Sequence, residues 1–439
     1  MKASDDSREL YLQVYRQAEH DLPGRNLPWL ERLRAEAVGR FMATGFPGMA
    51  EEAWKYTDTR PFERRRFTLP AKNGAVLVCS LKPYALGSPV AHRLVFVDGA
   101  FVPDLSVVCD LPPGAVIRNL AAALERDSAV VEAHLGHNQA ADMRGFGALN
   151  TAFLSDGAYI HLGRGVTLHE PVHLLFISSG TAPTMTQPRN LIVAEEDSHV
   201  TLIESYVALN DGEYFTNAVT EVVAGRNAGI EHYKLERESE LAYHIGGIHV
   251  RQERDSRYLA HNVAIGGRLV RNDIRATLDG EGVECILNGL TLTRGRQHVD
   301  NHTRIEHNKP RGTSREWYKG VLDGHSRCVF SGLVRVHPDA QKTDAQLTNN
   351  NLLLSDDAEA DSRPQLEIYA DDVKCAHGST VGQLDPDALF YLRSRAVDET
   401  LARNMLIYAF ASDIVARMKL APVRAQLEGQ LSQRWLGRE

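Results

Sequence analysis

Three textures of apolar and polar positions follow one another along the chain. Near the start, apolar side chains recur at helical spacing: Leu10, Val14 and Ala18, then Trp29, Leu30, Leu33, Ala37, Val38 and Phe41. Asn26-Leu27-Pro28 predicts the entry into a second helix. Gly45-Phe46-Pro47-Gly48 breaks the pattern, and Trp54-Lys55-Tyr56-Thr57 follows it. From about Ala75 the texture turns to short β-rich runs, Val76–Val78, Leu94–Val97, Tyr159–Leu162, Val172–Ile177, Leu191–Val193 and Val200–Ile203. Gly, Asn, Asp and Pro separate these runs at short intervals. From Ala148 to about Gly382 almost no segment has the period of an amphipathic helix. Helical spacing returns in the tail, where Asp385 is placed to cap a helix with Pro386 at its first position. A second tail helix starts near Asp398, with Leu401, Met405 and Tyr408 on one stripe. Met405 to Ala411 is apolar most of the way round, which predicts burial against the strand region or against another protein.

The expected division is therefore a helical domain over 1–74, a β core over 75–384 and a second helical domain over 385–439. So long a run of short strands exceeds a simple sandwich. A β-solenoid accommodates it, because each rung adds core by stacking on the last. No clean repeat period is visible, so a large sandwich or two β-domains stay open on periodicity alone.

Composition excludes some classes. Hydrophobic residues are 43% and charged ones 24%, ordinary for a globular protein. A net charge of -8 argues against general nucleic-acid binding, which needs a basic surplus. No apolar run approaches the ~20 residues that span a bilayer. The polar, acidic start Met1-Lys2-Ala3-Ser4-Asp5-Asp6 has no apolar segment behind it, so a cytoplasmic protein without a secretory signal is expected. The five cysteines, Cys79, Cys109, Cys285, Cys328 and Cys375, are scattered and never paired as C-x-x-C. That fits a reducing compartment and leaves no local set of thiolates for a zinc or cluster site.

The candidate chemistry lies at Cys375 and His377. They follow the strand-like run Leu366-Glu367-Ile368-Tyr369, with Asp371, Asp372 and Lys374 beside them. Side chains at i and i+2 of a strand share a face, roughly 6.6 Å apart along it. The pair can thus present one sulfur and one nitrogen, suited to iron, zinc or copper, to the same outside object. The alternative is an exposed strand end with two idle residues. Lys374 is close enough in sequence to lower the thiol pKa, although as a strand neighbour it points to the other face.

Other motifs carry less. His169-Glu170-Pro171-Val172-His173 matches H-E-x-x-H, but Pro171 opposes a helix and the flanks read as strand. In a strand the two imidazoles lie roughly 13 Å apart, too far to share a zinc. His298 and His302 share one strand face and His307 takes the other, which reads as a hydrogen-bonded ladder. The chain has no Gly-Lys dipeptide, so no P-loop, and any ATP dependence has to come from a partner. It has no Gly-x-Ser-x-Gly either. Asp and Arg are frequent among the strands, so a β-helical carbohydrate-active enzyme is the alternative class.

The stretch Ser314 to Gly382 resembles the core of the SufB/SufD family of iron–sulfur cluster assembly proteins. YKGVLDG, the Phe330-Ser331-Gly332 triplet, DAQKTDA, NNNLLLS, PQLEIYADDVKCAHG and LFYLRSR (Leu389 to Arg395) carry the resemblance. FGALNTAF (Phe146 to Phe153) and EEAWKYT (Glu51 to Thr57) extend it upstream, so it covers essentially the whole chain. EEAWKYT and DDVKCAHG resemble the SufD side of the family. In SufB, a T-x-C segment before the Leu-Leu pair carries a cysteine tied to cluster assembly. Here Thr348-Asn349-Asn350-Asn351-Leu352 has asparagine, with Asn350 as the counterpart.

The resemblance implies a right-handed parallel β-helix flanked by helical domains. It implies a cytoplasmic, non-enzymatic scaffold subunit that pairs with SufB through the end of the β-helix and with the ATPase SufC through the C-terminal helices. Leu401, Met405 and Tyr408 are the candidates for the SufC contact. Cys375 and His377 then lie at the SufB interface, as tentative ligands of a transient iron–sulfur cluster shared with SufB. No cluster is expected to be held stably by this chain alone, and a homodimer of the isolated chain stays open as an alternative.

Overall fold

The computed structural model describes residues 2–71, 84, 86, 92–137, 145–180 and 182–437. The expected strand Val76–Val78 and Cys79 lie outside the described residues. The chain opens with α1 (Lys2–Ala18), α2 (Pro28–Thr44) and the short α3 (Arg60–Arg64). α2 begins at Pro28 as its sequence predicts, since proline's fixed φ suits the first turn. Four strands follow: β1 (His92–Val97), β2 (Ala100–Phe101), β3 (Val107–Val108) and β4 (Ala115–Asn119). Next come three short helices that the apolar pattern does not predict, α4 (Leu120–Arg126), α5 (Ser128–His134) and α6 (Gly145–Ala152).

From there to Gly382 the described chain is strands and turns. They are β5 (Ala158–Leu162), β6 (Val172–Ser178), β7 (Met185–Thr186), β8 (Arg189–Ala194), β9 (His199–Ala208), β10 (Phe215–Ala224), β11 (Gly229–Arg237) and β12 (Tyr243–Gln252). They continue with β13 (Arg257–Ala264), β14 (Leu269–Leu278), β15 (Glu284–Thr293), β16 (His298–His307) and β17 (Thr313–Leu322). The last are β18 (Arg327–Val336), β19 (Asp344–Leu353), β20 (Glu359–Ile368) and β21 (Lys374–Gly382). Strands alternate between an 11-stranded and a 10-stranded sheet, and from β8 onward each long strand pairs in parallel with the one two places later. The result is a β-solenoid with helices at both ends of the chain.

A recurring corner drives the coil. Asp197, Asn227, Asp255, Gly282, Arg311 and Lys342 all have positive φ, and each stands two residues before a strand of the first sheet. Gly, Asn and Asp tolerate that conformation well, so four of the six corners carry a residue suited to them. The successive starts His199, Gly229, Arg257, Glu284, Thr313, Asp344 and Lys374 are 27 to 31 residues apart, so no single repeat period exists.

Alternate residues of each strand point into the solenoid. One inward column of the first sheet runs Val200, Ile230, Tyr258, Cys285, Ser314, Ala345 and Cys375. The next runs Leu202, His232, Ala260, Leu287, Glu316, Leu347 and His377. Val200, Ile230, Leu202, Leu287 and Leu347 belong to the main apolar core, which fixes which side of the sheet is inside.

The two helical parts cover opposite sheets. Phe41, Phe46, Phe62 and Phe146 pack with Phe215, Tyr243 and Ile245 on the outer face of the second sheet. The tail forms α7 (Pro386–Arg393), α8 (Glu399–Val415) and α9 (Ala421–Leu436). Asp385 caps α7 by accepting from the Asp387 amide, and Asp398 caps α8 by accepting from Thr400 and Leu401. Ile407, Ala411, Leu427 and Leu431 press against Tyr233, Leu235, Leu290 and Val321 on the outer face of the first sheet. The apolar stretch of α8 is thus buried against the strands, as expected of it, while Met405 stays exposed. No helix among the described residues is long and apolar enough to cross a membrane.

Candidate functional site at the open end of the solenoid

β20 and β21 are the last rung. Each pairs on one side only, β20 with β18 and β21 with β19, and among the described residues no strand covers the other side. Such an edge presents a row of unpaired backbone N–H and C=O groups, a ready template for another chain. Apolar side chains are exposed around it: Tyr369 at 60%, Val381 at 47% and Ile368 at 42%. Each inner strand is shielded by the rung above it, and this rung has none.

Cys375 and His377 sit in β21, a strand of their own on the first sheet. They do not continue the run that ends at Ile368, because the turn at Asp371–Asp372 separates them from it. That turn is tied to the rung below: Lys342 Nζ pairs with Asp372, and the Asp372 amide donates to Gln341 Oε1 over 3.0 Å. Both residues share a face, as i and i+2 spacing requires, and that face is the inward one. Cys375 stacks over Ala345 and His377 over Leu347. Cys375 is half-buried against the core, while His377 is exposed at the mouth. Ser379, next in the same register, donates to Ser362 Oγ of β20 over 2.7 Å and ties the two sheets together at the rim.

Burial sets the Cys375 thiol. It pushes the pKa above the ordinary thiol value, the nearby Asp344 carboxylate adds to the rise, and a hydrogen bond from the Ala345 backbone partly opposes it. Lys374 is exposed and is not among the causes, so its expected lowering effect is absent. A thiol held in its neutral form is a weak ligand until a metal displaces the proton.

Asn350 belongs to the outward register of β19, where its Oδ1 accepts from Thr380 Oγ1 over 2.8 Å. It therefore lies on the opposite face of the sheet from Cys375 and His377. His173 is buried beside Ser205 Oγ at 2.9 Å, and burial pushes its imidazole down to about 3, while His169 stands in the preceding turn. The H-E-x-x-H match thus spans a turn and a strand. His298 and His302 face outward beside Asp300, and His307 points inward to Ser314 Oγ at 2.9 Å. Among the described residues no three His, Cys, Asp or Glu are grouped to hold a metal ion.

On the tail, Leu401 and Met405 are exposed, and Tyr408 is half-buried against the apolar cluster beneath the helices. Phe390 at 73% and Tyr391 at 55% are more exposed than any of these and were not singled out by helical spacing. Their signal was present, as an aromatic pair inside the string Leu389 to Arg395.

A solenoid that is open at one end, carries a thiol and an imidazole in its mouth, and holds helices on both outer faces defines the class of this chain: a helix-flanked β-solenoid with one uncovered edge. Residues 176–410 match the family model described as SUF system FeS cluster assembly, SufBD core domain, and residues 5–174 match the SufBD protein N-terminal region. The chain belongs to the SufB/SufD family of iron–sulfur cluster assembly proteins. It is 35% identical to an iron–sulfur cluster assembly SufBD family protein of Synechocystis, over 87% of this chain and 86% of that one. It is 33% identical to the iron–sulfur cluster assembly protein SufD of Escherichia coli, over 91% of each. It is 30% identical to protein ABCI7, chloroplastic, of Arabidopsis thaliana, over 92% of this chain and 86% of that one.

Proposed function

We propose that this chain is the SufD-type scaffold subunit of a SufBCD complex, supporting assembly and transfer of iron–sulfur clusters, with ATP hydrolysed by SufC. The observation that carries the reading is Cys375 and His377 in the mouth of an uncapped solenoid. A cluster usually takes four protein ligands, mostly thiolates, and histidine can replace cysteine. One thiol and one imidazole make half a set, so the nascent cluster borrows its other ligands from a SufB chain docked on the same edge. The cluster is cargo here, held at an opening from which it can leave.

The second contact is with SufC, which supplies the nucleotide chemistry that a chain without a P-loop lacks. Leu401 and Met405, with Phe390 and Tyr391 beside them on the tail helices, form its docking surface, and Tyr408 supports that surface from beneath. The chain itself performs no catalysis in this reading and works in the cytoplasm.

The test is co-expression with SufB and SufC. The three chains are expected to co-purify. His377→Ala and Cys375→Ala are expected to leave the complex intact and to reduce the cluster absorbance it acquires at least severalfold. Wild-type cluster loading in both variants would remove the role assigned to the mouth.

A further inference from the structure

A groove on the outer face of the second sheet carries positive charge that the fold does not neutralise. Tyr243, Leu269, His298 and Arg327 stand opposite one another on β12, β14, β16 and β18, in one outward row. The segment from Met49 to Pro61 runs beside this row and leaves a groove of about 300 Å³. Arg268 and Arg296, from the corners before β14 and β16, complete its lining. Gln297 Nε2 donates to the Gly267 carbonyl over 3.0 Å, which ties those two corners together. They belong to neighbouring rungs, roughly 4.8 Å apart.

The lining holds four arginines and one carboxylate, in a chain whose net charge is -8. Two of the arginines are neutralised. Arg60 Nε donates to Asp58 Oδ1 over 2.8 Å, and Arg327 Nη2 donates to Asp361 Oδ2 over 2.6 Å. Arg268 and Arg296 are exposed and have no hydrogen-bond or ion-pair partner among the described residues. Free arginines on a surface are not by themselves a site. Tyr243 supplies the second observation. It lines the same groove, is 1% exposed, and its hydroxyl is buried without a hydrogen-bond partner. Its ring is fixed by edge contacts to Phe62 and Phe67, at 5.3 and 6.0 Å between centroids. A buried hydroxyl without a partner costs free energy, so such a group is normally met by a water or a ligand.

The open groups define the ligand. Two guanidinium forks can only donate, and the hydroxyl is a donor to any acceptor placed on it. Such a set recognises an oxyanion, and two uncompensated cations match two negative charges. Asp58 is already engaged by Arg60, so the lining has no free carboxylate for a cation. The volume admits a small ligand.

We propose that this groove binds a small oxyanion with two negative charges, a phosphate or a dicarboxylate, on Arg268, Arg296 and the hydroxyl of Tyr243. The groove opens outward, whereas Cys375 and His377 face inward, so the site is separate from the mouth of the solenoid.

The test uses the full chain at constant ionic strength in chloride, with inorganic phosphate and malonate as probes. Calorimetry is expected to show saturable binding of at least one probe, and that probe is expected to raise the melting temperature. Binding of phosphate alone assigns the site to phosphates, and binding of malonate alone to dicarboxylates. Arg268→Gln and Arg296→Gln are each expected to weaken binding about tenfold, the loss of one charge-assisted hydrogen bond. Tyr243→Phe removes a hydroxyl that bonds nothing in the protein. It is expected to keep or raise the melting temperature without anion and to lose most of the rise that the anion gives wild type. Saturable binding of neither probe, or wild-type affinity in both arginine variants, would overturn the proposal.

Discussion

Glu316 makes the stability of the interior depend on pH. It is fully buried in the inward column that ends at His377, two rungs below the mouth. Burial pushes its carboxyl from 4.5 up to about 7, neither carboxylate oxygen has a hydrogen-bond partner among the described residues, and the nearby Thr303 hydroxyl only partly offsets the rise. The native state therefore holds this proton more tightly than the unfolded chain does. Its contribution to stability is complete below pH 4.5 and is lost as pH rises through about 7. The full shift corresponds to about 3 kcal/mol. Glu316→Gln keeps the shape and removes the titration. Its melting temperature is expected to rise relative to wild type between pH 5 and pH 8, and a difference that stays constant with pH would rule this out. Cys375 offers a second prediction of the same kind. With its pKa raised by burial, alkylation of Cys375 in the isolated chain should run slower at pH 8 than that of an exposed peptide thiol. Mass spectrometry of the Cys375 peptide measures it, and a rate equal to or faster than the free thiol would contradict it.

At the scale of elements, the strap Glu51–Thr57 binds the N-terminal part to the solenoid. Thr57 Oγ1 is 3.0 Å from His298 Nε2 and 2.5 Å from Asp300 Oδ2, Trp54 covers Arg271, and Glu52 pairs with Arg363 of β20. The contacts therefore span β14 to the last rung. Asp300 is fully buried. Burial alone would raise its pKa, but the Arg271 charge, then His302 and Thr57, outweigh that and hold the carboxyl well below the usual range. Removing Arg271 strands this charge, so Arg271→Met should cost about 3 to 5 kcal/mol by denaturant unfolding. A cost below about 1 kcal/mol would mean that the pair is not what holds the strap. None of this pairing was legible in the sequence, since Thr57 and Asp300 are 243 residues apart. The strands were legible, because β-branched runs and turn residues mark each one locally. The short helices α4 to α6 were not, because a brief apolar run such as Leu120–Leu124 has no period to separate it from a strand. α9 falls inside the helical domain expected over 385–439, and Val423, Leu427 and Leu431 recur at helical spacing along it. For Cys375 and His377, period-two alternation gave their shared face; that the face points inward needed the ladder register of the whole solenoid.

The whole molecule is a coil finished on its flanks and unfinished at one end. Helices cover the outer faces of both sheets, and among the described residues seven of the eleven exposed large apolar side chains lie at the last rung or on the tail helices, the others being Met49, Val107, Val108 and Leu241. A long uncovered edge would make an isolated chain prone to stick to itself. In the proposed complex, pairing with another solenoid through β20 and β21 would remove that liability and close the mouth over Cys375 and His377 in one step. Val381 is suited to test this, because it is exposed in the inward register of β21, at the open edge above Asn351. Val381→Asp places a charge in the mouth without disturbing the core. Its effect on the chain's own melting temperature is expected to fall within the change of about 0.5 kcal/mol typical of surface substitutions. Its affinity for a SufB-type partner, measured by calorimetry or by co-purification, is expected to fall at least tenfold, and cluster loading to fall with it. A variant that binds normally but loads no cluster would separate the edge from the chemistry. One that binds and loads as wild type does would place the partner elsewhere on the molecule.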